Sequence, residues 1–408
     1  MQSIWKTASV ILAVRVFTVL TLLASAVSEA DEWDYGFCYK EELLYLHTAI
    51  NYDFDPDWQQ DWEKELLKGK GIRFSFGSLT KRQLFHNEDV IVNQYLDRGW
   101  WFRAHFNWYG SRHLDTDTES GFVEFQKEIL AGWFACVSAD LKHNKEEIDG
   151  AFGILKTNRT RDSYSLIQIC WDDLVYDKRN TLGGKTTKQP LGIRWLVRTE
   201  GESWGIFTQG KYSAGFTRDY KNPDLSPEYN RHEQQTNHAD IKLIRRLTKR
   251  SRLEALVSLY HFDESKVYYS HDRDYSYLNT IYHGTLRYLF PVSVPYSARV
   301  ELHGIKQYGR ARGRRDYRYK RKEMLPAFFI KRSVNSHAFE VGYFSSFYGW
   351  DYDDMLESAD YSRDDYVDKL KIGWTYRFNQ KARIQLSLSH VMQRESFGGG
   401  NAQYMMFF

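Results

Sequence analysis

Ten ionisable residues fall on the polar faces of otherwise apolar segments: Arg103 and His105, Arg194 and Arg198, Arg299, Glu301 and His303, Lys369 and Lys371, and Arg383. Gathered on one concave surface, they would concentrate anions by focusing the electric field, which needs charge and low-dielectric walls but no covalent chemistry. Cations outnumber acids in this set. Glu124, Glu128, Asp140 and Asp172 fall on equivalent positions, however, so pairing across neighbouring segments is the competing reading. A denser basic run follows at 310–322, with Arg310, Arg312, Arg314, Arg315 and Arg318 at its centre. Guanidinium forks match phosphate oxygens, so this run is a candidate for phosphate recognition. The segment 348–367 gathers Asp351, Asp353, Asp354, Glu357, Asp360, Asp364 and Asp365, hard oxygens of the type that take Ca²⁺, without EF-hand or glycine-repeat spacing. His390 stands near Ser387 and Ser389, the residue types of a hydrolase, with no recognisable motif around them. Cys38, Cys136 and Cys170 form no CxxC or CxxCH, so a disulfide framework, a zinc site and covalent haem are unsupported. No catalytic residue, metal site or cofactor is expected.

The elements that must position these residues have a period of two. Trp100, Phe102, Ala104, Phe106 and Trp108 oppose Trp101, Arg103, His105, Asn107 and Tyr109. Trp133, Ala135 and Val137 oppose Phe134, Cys136 and Ser138, and Ile384, Leu386 and Leu388 oppose Arg383, Gln385 and Ser387. Such alternation means a strand with one apolar and one polar face. His261 and His283 read as lying on apolar faces. About eighteen such strands follow from residue 71 onward, each near the ~10 residues that cross a bilayer at a tilt. The connections alternate. Short ones fall at 97–98, 201–202, 248–250, 291–295, 332–335 and 379–380. Long ones fall at 111–120, 175–188, 215–236, 262–277, 307–322 and 348–367.

Composition agrees. The 408 residues include 29 Tyr, 25 Phe and 13 Trp against 7 Pro, with a net charge of +3. Nearly balanced charge offers no global attraction for nucleic acid. The mean hydropathy of −0.60 would exclude a helical membrane protein but not one whose strands point alternate side chains into water. Residues 1–30 read as a cleaved signal peptide. Lys6 is followed by a mostly apolar stretch at 10–26, and Ala24-Ser25-Ala26 and Ser28-Glu29-Ala30 are cleavage candidates. The segment 31–70 differs from both neighbours. Asp55-Pro56 begins a run with apolar residues at Trp58, Trp62 and Leu66, which predicts a short amphipathic helix. It would plug a lumen, cap the periplasmic rim or bind a partner, and 43–52 is a candidate extra strand.

The chain stops at Phe408, with Ala402, Tyr404 and Met406 on the same face. This resembles the closing strand of Gram-negative outer-membrane β-barrel proteins, which the barrel-assembly machinery reads. The resemblance implies an all-β fold: a closed antiparallel transmembrane β-barrel of about 18 strands (range 16–20), with short periplasmic turns and long outer loops, spanning 71–408. It implies contact with outer-membrane lipid and lipopolysaccharide, and no nucleic acid. Barrels of this kind and size often pass small solutes or polysaccharide, and the ten polar-face residues would then line the pore and favour anions. The alternative is a sheath around a periplasmic protein partner such as a multihaem cytochrome. An outer-membrane hydrolase is a third reading.

Overall fold

The computed structural model describes residues 56–78, 84–111, 116–140, 147–176, 184–188, 191–220, 229–268, 274–313, 317–354, 361–394 and 396–408. The candidate signal peptide and the candidate strand at 43–52 lie outside them, as do Cys38, Arg314, Arg315, Glu357 and Asp360. A helix, α1 (Pro56–Glu65), leads into β1 (Lys70–Ser78), β2 (Leu84–Asp97), β3 (Trp100–Ser111), β4 (Thr116–Leu130), β5 (Trp133–Asp140), β6 (Glu147–Thr157) and β7 (Tyr164–Tyr176). Then come β8 (Gly184–Lys188), β9 (Leu191–Glu200), β10 (Trp204–Ser213), β11 (Phe216–Tyr220), β12 (Tyr229–Arg246), β13 (Arg252–Tyr268) and β14 (Tyr275–Ser293). The last strands are β15 (Tyr296–Arg312), β16 (Tyr317–Val334), β17 (His337–Asp354), β18 (Tyr361–Arg377), β19 (Ala382–Val391) and β20 (Ser396–Phe407).

Neighbouring strands pair antiparallel throughout, and β1 pairs with β20 through Ile72↔Met406 and Phe74↔Tyr404. The result is a closed ring of 18 strands. Closure leaves no open strand edge, so the ladder of backbone hydrogen bonds runs around the whole ring. The short strands β8 and β11 stand outside the ring and pair with each other, and β11 also continues along β12.

The outer wall is apolar and uncovered. Val137, Val257, Ile372 and Leu388 are each 58–64% exposed, on strands distributed around the ring. In water a belt like this would cost roughly 25 cal/mol per Å², whereas in hydrocarbon it costs nothing. The belt therefore marks the membrane-spanning zone. Its edge at the short-turn end carries repeated pairs of a cation and an aromatic ring directly opposite each other on adjacent strands. These are Trp100↔Lys127, Trp133↔Lys156, Trp204↔Arg245 and Tyr296↔Arg332. Each cation lies 4.4–5.7 Å from its ring centroid. Amphipathic rings with snorkelling cations belong at the headgroup level. Helix α1, the start of β1 and the end of β20 lie at this end, as an even strand number requires, and this short-turn end is taken as the periplasmic side.

The bounds of three of the six expected long outer segments are corrected by the structure. The segments 262–277, 307–322 and 348–367 are mostly strand, because β13 to β18 run on for 17–19 residues each. On the opposite side β5 has only 8 residues. One side of the barrel therefore stands taller. Above the membrane a strand need not alternate apolar and polar residues, since ladder hydrogen bonds alone hold it, and the period-two signal disappears there. Arg310 and Arg312 accordingly lie on β15 and Arg318 on β16, not in a loop.

Candidate functional site: the lumen and its periplasmic mouth

Helix α1 crosses the periplasmic mouth. Pro56 pre-sets the first helical turn and Asp57 adds negative charge there. The spacing of Trp58, Trp62 and Leu66 builds one apolar stripe. That stripe, with Leu67, is buried against Ile91, Phe134, Leu155, Tyr164, Leu166, Leu196, Phe207 and Met405. These eight project inward from β2, β5, β6, β7, β9, β10 and β20. Trp62 also stacks on Phe407 at 5.7 Å. The Arg73 and Arg383 guanidiniums lie over Trp62 and Trp58, at 4.8 and 4.9 Å.

Polar contacts tie α1 to the rest of the wall. Lys242 of β12 meets Glu63 at 2.5 Å. Arg252 of β13 meets Asp57 at 2.7 Å, and Gln60 donates to Glu254 at 2.9 Å. Arg383 of β19 pairs with Asp61. The Tyr164 hydroxyl donates to the Glu63 carbonyl at 2.8 Å. At the helix end the Asn93 amide donates to the carbonyls of Leu66 (3.2 Å) and Gly69 (2.7 Å), and Arg161 donates to Leu67 O at 3.0 Å. The last carbonyls of a helix lack internal partners, and here the barrel supplies them. A crevice of about 360 Å³ opens beside the helix, lined by Asp57, Gln60, Asp61, Lys64, Arg377 and Arg383 among others.

The ten polar-face residues all point into the lumen, mostly as members of ion pairs. Arg103 faces Glu124 at 3.6 Å and His105 meets Asp89 at 2.6 Å. Arg194 donates to Gln168 and Ser138, each at 2.8 Å, and Arg198 pairs with Glu200. Arg299 meets Glu301 at 2.8 Å and Glu340 at 3.5 Å, and His303 meets Glu301 at 2.9 Å. Lys369 donates to the Gly398 carbonyl at 3.0 Å, and the Lys371 ammonium lies 5.9 Å from the Phe329 ring. Arg383 is drawn away to α1. Around Glu301 the network continues through Arg287, which bonds both Glu301 (2.5 Å) and Glu254 (3.1 Å). Glu254 in turn bonds Gln60 of the helix, so wall and helix share one chain of charges.

Several residues stand elsewhere than their sequence suggests. His283 faces the lumen, stacked 5.9 Å from His303, rather than lying on the apolar face. Tyr277, Ile281 and Leu289 are also inward, and these apolar residues mask the parity of the strand. His390 is exposed on the outer face, while Ser387 and Ser389 are buried inside and bonded to Asn401 and the Gly399 carbonyl. No Ser–His pair forms there, because adjacent strand positions face opposite ways. Cys136 and Cys170 are buried and not joined in a disulfide. Asp351 and Asp353 are exposed on β17, and among the described residues no group of side chains has the arrangement to hold a metal. The inward apolar patch under α1 is not among the expected site residues, although Phe134, Leu155, Leu166, Leu196 and Phe207 signal it as apolar residues on the polar face near the short-turn strand ends.

No protein-family model and no curated protein matches the sequence. Among solved structures the barrel is similar to a loop L8 deletion mutant of OmpT, an outer membrane protein of Vibrio cholerae. There the TM-score is 0.38 and the identity 9%, over 83% of this chain and 97% of that one. It is also similar to a bacterial polysaccharide outer membrane secretin, with TM-score 0.39 and 12% identity over 84% and 98% of the two chains. CdiB from Acinetobacter baumannii gives TM-score 0.42 and 8% identity over 83% of this chain and 60% of that one. At these identities no residue role passes from those proteins to this chain.

Proposed function

We propose that the chain is an outer-membrane channel for passive diffusion of small polar solutes, preferring anions, with a periplasmic mouth narrowed by α1. The observation that carries this reading is the inward face of the ring. Apart from apolar patches such as the one that seats α1, it is charged and hydrogen-bonded, while the outward face is apolar. Charges on that scale are supported only where water or paired partners reach them. The preference for anions draws on the seven inward cations among the ten polar-face residues, Arg103, Arg194, Arg198, Arg299, Lys369, Lys371 and Arg383, against the single acid Glu301. Small solutes fit better than a polysaccharide strand, because α1 crosses the mouth. The same placement favours a channel over a sheath, since a periplasmic partner would have to enter where the helix lies. On the closing strand, Tyr404, Met406 and the exposed Phe408 point outward, which suits recognition by the assembly machinery before β20 pairs with β1.

The test is single-channel conductance in a planar bilayer, with the reversal potential read in a KCl gradient. Steady conductance with anion preference is expected, and that preference should shrink in a variant carrying Arg194→Gln, Arg198→Gln and Arg299→Gln. An inserted barrel that conducts nothing, even after α1 is loosened, would overturn the channel reading.

A further inference from the structure

The outward face of β14 to β16 changes character abruptly above the apolar belt. Along β16 it runs Arg332, Ile330, Phe328, Pro326, Met324, Lys322, Lys320 and Arg318, so four apolar residues separate cations at the two ends. Along β15 it runs Tyr296, Ala298, Val300, Leu302, Gly304, Lys306, Tyr308, Arg310 and Arg312. From Tyr296 to Lys306 is ten residues (306 − 296). At about 3.4 Å per residue and a tilt of about 40°, that is about 25 Å of height, the thickness of an outer-membrane apolar band. Lys306 and Lys322 therefore stand at the outer headgroup boundary.

Two features of this patch call for a ligand. Lys306 is directly opposite Lys322, and Arg310 directly opposite Arg318, in the β15–β16 register. Like charges facing each other across strands are destabilising unless an anion lies between them. Asp351 opposite Lys320 and Asp353 opposite Arg318 are the carboxylates in register, which is two against six cations. On the other side β14 offers only the uncharged Tyr282, Thr280, Leu278 and Ser276. Just below the cations, Gly284 of β14 lies directly opposite Gly304 of β15, and both face outward. A side chain added at either would meet nothing within 4 Å. Glycine weakens a strand interior and marks close approach by another molecule. The pair floors a shallow groove in the lipid-facing wall, bounded by Tyr282 and Lys306 above and by Leu286 and Leu302 below.

We propose that this face is a docking site for a phosphorylated glycolipid of the outer leaflet. Its headgroup phosphates lie between Lys306, Lys322, Arg310 and Arg318, and an acyl chain crosses the Gly284–Gly304 groove. Arg and Lys together suit a phosphate that needs both bidentate bonds and point charge. The occupant is a lipid and not a soluble phosphate, because the groove continues the cationic patch down into the hydrocarbon zone.

The test uses the full refolded barrel in detergent micelles, titrated with bisphosphorylated lipid A and with the same lipid dephosphorylated, and bound lipid is read by native mass spectrometry. Three variants are compared: Lys306→Gln with Arg310→Gln and Lys322→Gln, Gly304→Leu, and a control at the other rim, Lys127→Gln with Arg332→Gln. A surface cation is worth about fivefold in affinity for an anionic headgroup, so the triple variant should lose on the order of a hundredfold. Gly304→Leu should weaken both lipids, and the control variant neither. Equal binding of the two lipids by the native barrel, or an unchanged affinity in the triple variant with folding verified by gel mobility, would overturn the proposal. So would a second copy of the chain bound at this face in place of lipid.

Discussion

Glu63 on α1 and Lys242 on β12 stand 2.5 Å apart, both side chains less than one tenth exposed, on segments separated by 179 positions in the chain. The pair joins the helix to the tall side of the barrel, while the apolar stripe of the same helix is seated on the opposite, shorter side. Helix α1 is thus fixed by burial on one flank and by charge on the other. The charged flank has the greater consequence for opening, because a buried pair fails abruptly when one partner is removed.

Replacing Glu63 with Gln takes the directly bonded carboxylate away from the buried Lys242 ammonium. Breaking a buried pair from one side costs about 3 kcal/mol or more, whereas replacing both partners with apolar residues is often nearly neutral. Glu63→Gln should raise open-channel conductance and speed proteolysis within 56–67, and Glu63→Leu with Lys242→Met should restore much of the closed behaviour. Identical conductance in all three proteins would mean that α1 does not limit the pore.

Trp62 touches Arg73, Phe407 and the inward apolar patch. Truncating a buried Trp costs about 3–5 kcal/mol. Trp62→Ala should release α1 without unfolding the ring, since the ladder from β1 to β20 does not depend on it. Heat-modifiable gel mobility should stay unchanged while urea-induced tryptophan fluorescence shows a new, earlier transition. A single transition at the native midpoint would contradict the assignment of Trp62 as an anchor.

Asp162 shapes the periplasmic turn that presents Arg161 to the helix end. Asn158 and Thr160 donate to its carboxylate at 2.7 and 2.8 Å, and the Asn158 bond is the leading cause holding its pKa below the usual carboxylate value. A depressed folded-state pKa gives stabilisation that is present above the unfolded value and lost as pH falls through the folded one. Asp162→Asn should therefore lower the native stability near neutral pH and matter progressively less in acid. Thermal unfolding of both proteins between pH 7 and pH 3 checks this, and a difference that grows toward acid would have the wrong sign.

Trp204 and Arg245 form one of the rim pairs, 4.4 Å from cation to ring. Partly solvated pairs of this kind contribute about 1 kcal/mol. Arg245→Ala and Trp204→Ala should each destabilise the inserted barrel modestly, and the double variant should cost less than the sum of the two. Additive losses in urea titrations from liposomes would show that the two residues act separately.

The strand count and the inward direction of the ten polar-face residues were legible because lipid imposes one rule on every membrane-crossing strand. The outward residue must be apolar, so its neighbour must point inward. Arg103, Arg299 and Lys369 fall on that inward face by this rule. His283 was not legible, because Tyr277, Ile281 and Leu289 on the same inward face break the rule locally. The extensions of β13 to β18 were illegible for the opposite reason: above the membrane the rule lapses and the ladder is held by backbone bonds that every residue can make.

What the sequence by itself determined is therefore everything that follows from a period of two against a hydrocarbon solvent. That includes the strands, their faces, the inward ionisable residues and the amphipathic stripe of Trp58, Trp62 and Leu66. The tertiary structure alone decided where that stripe would be buried, which acid would neutralise which cation, and that Lys306 would face Lys322 beside a groove floored by Gly284 and Gly304. Those relations depend on strand register and on contacts across the ring. Both are set by closure of the whole barrel, and no local pattern encodes the distance between residues that closure brings together.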